Sequence, residues 1–303
     1  MTISRRSFVK NSSLALAGVA LTASLVGFKS PADILGVQLY SVRDAMKKDP
    51  AGTLKKIAAM GYRYVEHAGY DNGKFYGYSP ADFKKLLSDL GLKMDSGHDF
   101  LGSRQWDPSK NDFTDAWKQT IDDAVAVGMK YMISPGVDEA YCHRIEDFHH
   151  YMDMFNKTGA LAKKAGIHFA YHNEGYEFNH SLNGTRLYDI ILRTTDPNLV
   201  DQQMDIGNMY EPGGRAMSYL KEYPGRFLLM HVKNEIKGTK PSPSGEWYES
   251  SLLNKGVIPV KEIVDYARRG GTKYFIIEQE NYQNLDPVDC VRDDLKIMKS
   301  WGF

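Results

Sequence analysis

Cysteine is almost missing from this chain. Only Cys142 and Cys290 occur in 303 residues. Sites that want several thiolates, such as Cu(I) or iron–sulfur centres, are therefore excluded. One cysteine follows the fourth β-rich run and the other lies in the last helical pattern, so two free, partly buried thiols are expected. Net charge is missing too: 38 basic side chains face 38 acidic ones. A neutral protein has no electrostatic footprint for nucleic acid or an anionic membrane, and no basic run follows the first residues. No G-x-G-x-x-G follows the first β-rich run, where the chain reads YSVRDAMKKD, and no P-loop pattern occurs. Both absences count against a doubly wound nucleotide-binding sheet. No close-spaced H-E-x-x-H motif is present.

At the N-terminus, SRRSFVK precedes the apolar stretch LALAGVALTASLVGF. Arg5, Arg6, Phe8 and Lys10 resemble a twin-arginine export signal. The stretch is short and holds Gly18 and Gly27, which disfavours a stable membrane span. No cysteine precedes Cys142, so a lipid-modified cysteine at the cleavage point is excluded. Residues 1–32 are expected to be an export signal and linker, and the mature protein is expected in the periplasm without stable membrane insertion.

From residue 33 onward, β-rich runs alternate with helical patterns. The runs are ILGVQLY, YRYVEH, LKMDSG, YMIS, HFAYH, VDQQMDI, FLLMHV and YFIIE. Helices are expected near 51–60, from 79, at 112–127, 145–165, 185–195, 216–223, 260–269 and 288–301. Six helical patterns leave through a glycine (Gly61, Gly91, Gly128, Gly166, Gly225 or Gly271), as a left-handed C-cap requires. Eight strands and eight helices over about 270 residues match a (β/α)8 barrel in a single domain, 33–303. The longest connection follows the seventh strand. It is rich in Pro, Ser and Gly with Trp247 and Tyr248 embedded, which suits a lid or substrate wall.

Several runs end in a histidine or an acid. In a parallel barrel those ends gather on one face, where active sites are built. The group His172/Glu174/Glu177, then Asp205, His231 and Glu278, recur at the ends of strands 5 to 8. Three carboxylates and one imidazole suit one divalent ion (Mn²⁺, Mg²⁺, Co²⁺ or Zn²⁺). Each residue has a plainer role open to it. Asp205 could cap the next helix, and His231 lies in an apolar run where a lone histidine is more often a core residue. Glu278 closes KYFIIE, where an unpaired carboxylate is costly. Glu280 has the same parity and is placed beside it.

QLYSVRD, YHNEGYEFN, QQMDIGNM, PGRFLLMHVKN and KYFIIEQE resemble the xylose-isomerase-like TIM barrels over nearly the whole mature chain. That family includes sugar isomerases and epimerases, inosose dehydratases and keto-sugar lyases. The resemblance implies one divalent metal held by Glu177, Asp205, His231 and Glu278. Relatives usually read H-N-H-D-F-E-F where this chain reads H-N-E-G-Y-E-F, so Glu177 corresponds to the retained glutamate, while Glu174 replaces a histidine and is open as the first ligand or base instead. HVKN replaces the common H-V-K-D, removing one carboxylate at Asn234.

The expected function is a metal-dependent sugar isomerase or epimerase acting on a keto-sugar through an enediolate, with Glu177 and Glu278 as catalytic bases on opposite sides of the sugar. Glu66, His98, His172, Lys233 and Trp247 are expected to bind the carbohydrate. Trp106, Tyr70 and Tyr76 are further aromatic surfaces for it. A keto-glycoside lyase or dehydratase on the same metal site is the alternative, and a non-catalytic sugar-binding barrel is a third. A metal endonuclease of the same fold would need a basic groove. Self-association into a homo-oligomer is left open.

Overall fold

The elements begin and end where capping chemistry permits. At the head of α1 (Pro50–Met60), the Asp49 side chain accepts from the Gly52 amide, and Pro50 fills the first turn. Ser79 and Pro80 do the same for α2 (Pro80–Asp89). Thr114 caps α3 (Asp115–Val127) through the Trp117 amide. α3 and α4 (Ile145–Ala165) stop at Gly128 and Gly166, whose φ values of 101° and 88° are left-handed and easy only for glycine. The remaining outer helices are α5 (Leu187–Thr194), α6 (Ala216–Glu222), α7 (Val260–Arg269) and α8 (Pro287–Ser300).

This computed structural model describes residues 33–238 and 247–303. The expected export signal, 1–32, and the middle of the long connection, 239–246, lie outside the described residues. Eight strands close a barrel: β1 (Ile34–Gln38), β2 (Tyr64–His67), β3 (Lys93–His98), β4 (Tyr131–Pro135), β5 (His168–His172), β6 (Val200–Asp205), β7 (Phe227–Val232) and β8 (Tyr274–Ile277). Every neighbouring pair in it is parallel, and β8 pairs with β1 to close the ring. The expected (β/α)8 barrel is the observed fold. Both cysteines are free and buried. No described helix is long and apolar enough to cross a membrane.

Strand alternation sorts the side chains. Outward-facing Phe169, Tyr171, Met230, Val232, Phe275 and Ile277 join the main core under the helices. Inward-facing Tyr131, Ile133, Ala170, Leu229 and Tyr274 form a separate apolar plug inside the barrel. Two residues further along β5 and β7 stand His172 and His231, so the parity that fills the plug also aims the polar residues inward.

β3 departs from this pattern. Tyr64 faces Lys93, but Glu66 faces Ser96, so one extra residue bulges in β3. The bulge re-aims the strand's end: Ser96 and His98 both reach interior partners, Glu66 and Gln203.

Four two-stranded ribbons decorate the connections, and none was expected from the sequence. Trp106–Asp107 pairs with Asp112–Phe113, which is why α3 starts at Asp115 rather than near 112. At the two ends of the connection after β7, Asn234–Lys237 pairs with Tyr248–Ser251.

Candidate functional site

Register brings the strand ends together. Asp205 is level with His231 on β6 and β7, Gln38 with Glu66 on β1 and β2, and Gln203 with His172 on β6 and β5. Glu278 follows directly after β8. Asp205, His231 and Glu278 form a buried group whose ligand atoms all lie within 4.8 Å of one another. His231 Nδ1 is 3.0 Å from Glu278 Oε2 and 3.7 Å from Asp205 Oδ2.

Asp205 divides its two oxygens between two tasks. Oδ1 accepts from the Gly207 and Asn208 amides at 2.7 and 2.8 Å, which fixes the turn after β6. Oδ2 is buried and faces the Lys233 ammonium at 3.1 Å and His231 Nδ1 at 3.7 Å. The cap and the ligand are thus compatible roles of one carboxylate.

Glu66 lies behind this group, not in the cavity. It has no exposure. Its oxygens accept from Gln38 Nε2 at 2.9 Å, Gln203 Nε2 at 2.8 Å, the Ser96 hydroxyl and His231 Nε2 at 2.6 Å. The expected sugar contact is therefore replaced by a carboxylate that grips the far side of the His231 ring, the arrangement that orients metal-binding histidines. Burial alone would raise the Glu66 carboxyl, but His231 and His98 around it bring it well below the usual range. Burial likewise opposes charge on His231, yet Glu278 and Glu66 raise it well above an ordinary imidazole.

Gln203 decides the tautomer of His172. Its amide nitrogen donates to Glu66, so its oxygen faces the histidines. That oxygen only accepts, so His172 Nδ1, at 2.9 Å, carries the proton. The lone pair is then on Nε2, which points toward Asp205 Oδ2 at 3.9 Å. Burial, then His231 and His98, hold the His172 imidazole well below its ordinary value, in the neutral form that metals bind. His98 Nε2 donates toward Gln203 Oε1 at 2.9 Å, with Glu66 Oε1 at 3.2 Å.

Glu177 does not join the group. It lies on the short helix Tyr176–Asn179, on the outer side of β5, with no exposure. Its Oε1 accepts from the Tyr171 hydroxyl and from the Glu174 amide, and Tyr171 is an outward-facing core residue. The expected ligand and base at this position is corrected on geometry: His172, the last inward residue of β5, occupies the place assigned to it. Burial without a cation pushes the Glu177 carboxyl up to about 7.

A cavity of about 950 Å³ opens above the group, lined by His98, His172, Glu174, Glu278 and Glu280 among others. Glu174 stands on its wall with its side chain about half exposed (48%), Oε1 lying 3.7 Å from His172 Nε2. Desolvation and then the neighbouring carboxylates, against the pull of Lys233, push it up to about 7. Lys233 is 1% exposed. Its ammonium lies 2.6 Å from Glu280 Oε1, 2.8 Å from Glu278 Oε2, 2.8 Å from Asn208 Oδ1 and 3.1 Å from Asp205 Oδ2. Trp247 lines a side pocket of about 350 Å³ that shares Glu174 and Glu280 with the main cavity. Trp106 is buried against Phe113 and offers no free face, whereas Tyr76 packs over Gly69 and lines a groove beside the main cavity. Sequence reasoning missed Gln203, although its parity with Asp205 in VDQQMD points inward. It also missed Asp99 and Asp138, which lie beyond strand ends where parity gives no guide.

The family model for the xylose isomerase-like TIM barrel matches residues 54–301. The chain belongs to that family. An inosose dehydratase from Clostridium perfringens is 31% identical over 103 residues, 34% of each chain, so the match spans about a third of that relative's length. An inosose dehydratase from Clostridium botulinum is 23% identical over 258 residues, 79% of this chain and 81% of the relative. A sugar phosphate isomerase/epimerase from Parabacteroides distasonis superposes with a TM-score of 0.73 at 26% identity, over 88% of this chain and 98% of the other. The IOLI protein with a bound zinc atom shares the fold, with a TM-score of 0.67 at 14% identity over 88% of this chain and 97% of the other.

Proposed function

We propose that this chain is a metal-dependent enzyme that isomerises or epimerises a keto-sugar, working in the periplasm after export by the twin-arginine route. The observation that carries the reading is the donor set under the cavity. His172 Nε2, Asp205 Oδ2, His231 Nδ1 and Glu278 come from four consecutive strand ends, and the ligand atoms of Asp205, His231 and Glu278 lie within 4.8 Å of one another. Two carboxylates and two imidazoles fit Mn²⁺, Co²⁺ or Zn²⁺ better than Mg²⁺, which prefers oxygen. Held there, a divalent ion supplies Lewis acidity to the sugar carbonyl and offsets the negative charge that develops on its oxygen.

The chain's own residues do the rest. Glu66 fixes the His231 ring, and Gln203 fixes the His172 tautomer. Glu174, its carboxyl raised to about 7, takes the proton from the carbon next to the carbonyl in its ionised form and returns it from the protonated form. Glu278 faces the same cavity and serves the opposite side of the sugar. Lys233, buried and held by Asp205, Asn208, Glu278 and Glu280, fixes these carboxylates in place rather than contacting the sugar.

A second reading is a keto-glycoside lyase or dehydratase, with Glu174 on the cavity wall as the acid. A carboxyl near 7 can also protonate a leaving oxygen at neutral pH. The test is proton exchange. Protein stripped by chelator and reloaded with Mn²⁺ is incubated in D2O with D-fructose and with a 3-keto-glucoside. Deuterium entering beside the carbonyl, dependent on the metal, supports the proposal. A rearranged sugar of unchanged composition marks an isomerase, and a released aglycone marks a lyase. Metal uptake with no exchange on either sugar would leave a binding barrel without catalysis.

A further inference from the structure

Two depressions adjoin on the catalytic face. Beside the main cavity, the loops after β1 and β2 enclose a groove of about 760 Å³. Both are lined by Tyr40, Ala68, Tyr70, Asp71 and Asn72, so they run side by side along one rim. Their chemistry differs. Asp71, Asp99, Asp138, Glu174, Glu278 and Glu280 line the main cavity, and Arg104 is its one Lys or Arg. Leu39, Met46 and Pro50 give the groove an apolar floor, and Arg43, Lys47 and Lys74 stand along it.

The rim itself is aromatic. Among the described residues, the large aromatic side chains left exposed are Tyr40 (42%) and Phe100 (44%), and both line the main cavity. Tyr40 is braced from one side. The Arg43 guanidinium lies 4.7 Å from its ring centroid and is held by the Tyr282 hydroxyl at 2.7 Å and the Glu280 carbonyl at 3.0 Å. A ring so fixed, yet exposed, is a preorganised stacking surface.

Resting on the keto-sugar reading above, we propose that this groove is a second subsite and that the substrate is an uncharged two-ring glycoside. Its keto ring sits over His172 and Glu278, and its second ring stacks on Tyr40. A single-ring sugar leaves the groove and Tyr40 unused, and a phosphate carried on the ring in the main cavity meets six carboxylates there.

Titration calorimetry on Mn²⁺-loaded protein tests this with unreactive probes: methyl β-glucoside, cellobiose, sucrose, phenyl β-glucoside and glucose 6-phosphate. At least one two-ring probe should bind about five- to tenfold tighter than methyl glucoside, and glucose 6-phosphate weakest of all. Tyr40→Ala should collapse the ratio of two-ring to one-ring affinity, and Tyr40→Phe should keep it. Equal affinities in the wild type, a ratio indifferent to Tyr40→Ala, or tightest binding of glucose 6-phosphate would overturn the subsite. If metal-dependent exchange on a keto-sugar persists in that case, the reaction reading stands alone. If no keto-sugar exchanges, the reaction reading fails and the subsite falls with it.

Discussion

The barrel interior has two halves built by one rule. In the lower half, Tyr131, Ile133, Ala170, Leu229 and Tyr274 fill the space with apolar volume. In the upper half, the same inward parity carries His172, Asp205, His231 and Glu278. Leu229 and His231 are two residues apart on one strand, yet the first is held by packing and the second by two carboxylates. The geometry of the strand is common to both halves. What separates structure from chemistry is the side chain placed on it, as expected of a fold whose catalysis is confined to one end.

The sharpest way to break the comparison is Glu278→Gln. Turnover should fall by about a thousandfold or more, because a ligand and a base go together, while the protein stays folded by circular dichroism. Retention of full activity would remove the upper half's assigned chemistry. Leu229→Ala should do the reverse. Chemical denaturation should show a loss of ~3 kcal/mol, with metal stoichiometry unchanged in the folded protein. Glu66→Gln should then weaken metal binding by about ten- to a hundredfold, and excess metal should restore much of the activity. An unchanged affinity would make Glu66 a bystander.

A fourth substitution sharpens the contrast through pH. Glu177 is a buried carboxyl with no cation beside it, raised to about 7. An acid raised on folding binds more protons in the native state, so its contribution to stability is present at low pH. That contribution is lost as pH rises from the unfolded carboxylate range through about 7. Glu177→Gln should therefore leave stability unchanged near pH 4 and raise it by about 1–3 kcal/mol at pH 8, read from denaturation midpoints at both. The same Glu→Gln change at Glu278, held well below its usual value by Lys233 and His231 against the effect of burial, should stabilise at neither pH.

The barrel was legible because β-rich runs and helical patterns alternate eight times, six of the helices leaving through a glycine, and Asp205, His231 and Glu278 stood out because each lies at or just past the C-terminal end of its strand. Glu177 misled because parity stops where the strand stops. Four residues past His168–His172 the chain has turned into a short helix that points its carboxyl outward, toward Tyr171. Glu66 was assigned to the sugar because a strand-end acid looks the same in sequence whether it faces the cavity or backs a histidine; only its four hydrogen-bond donors tell the two apart. The bulge that turns His98 inward carries no glycine or proline signature beyond Gly97, whose missing side chain leaves room for the His67 ring.

The central claim is that the last inward residues of β5, β6 and β7, together with Glu278, form one cation site from which Glu177 is absent. Titration of Mn²⁺ or Zn²⁺ into chelator-stripped protein tests it most directly, comparing wild type with Asp205→Asn, His172→Ala and Glu177→Gln. The account predicts one ion per chain in the wild type, loss of binding in Asp205→Asn, weakened binding in His172→Ala and wild-type affinity in Glu177→Gln. Loss of the ion in Glu177→Gln with full binding in His172→Ala would contradict it.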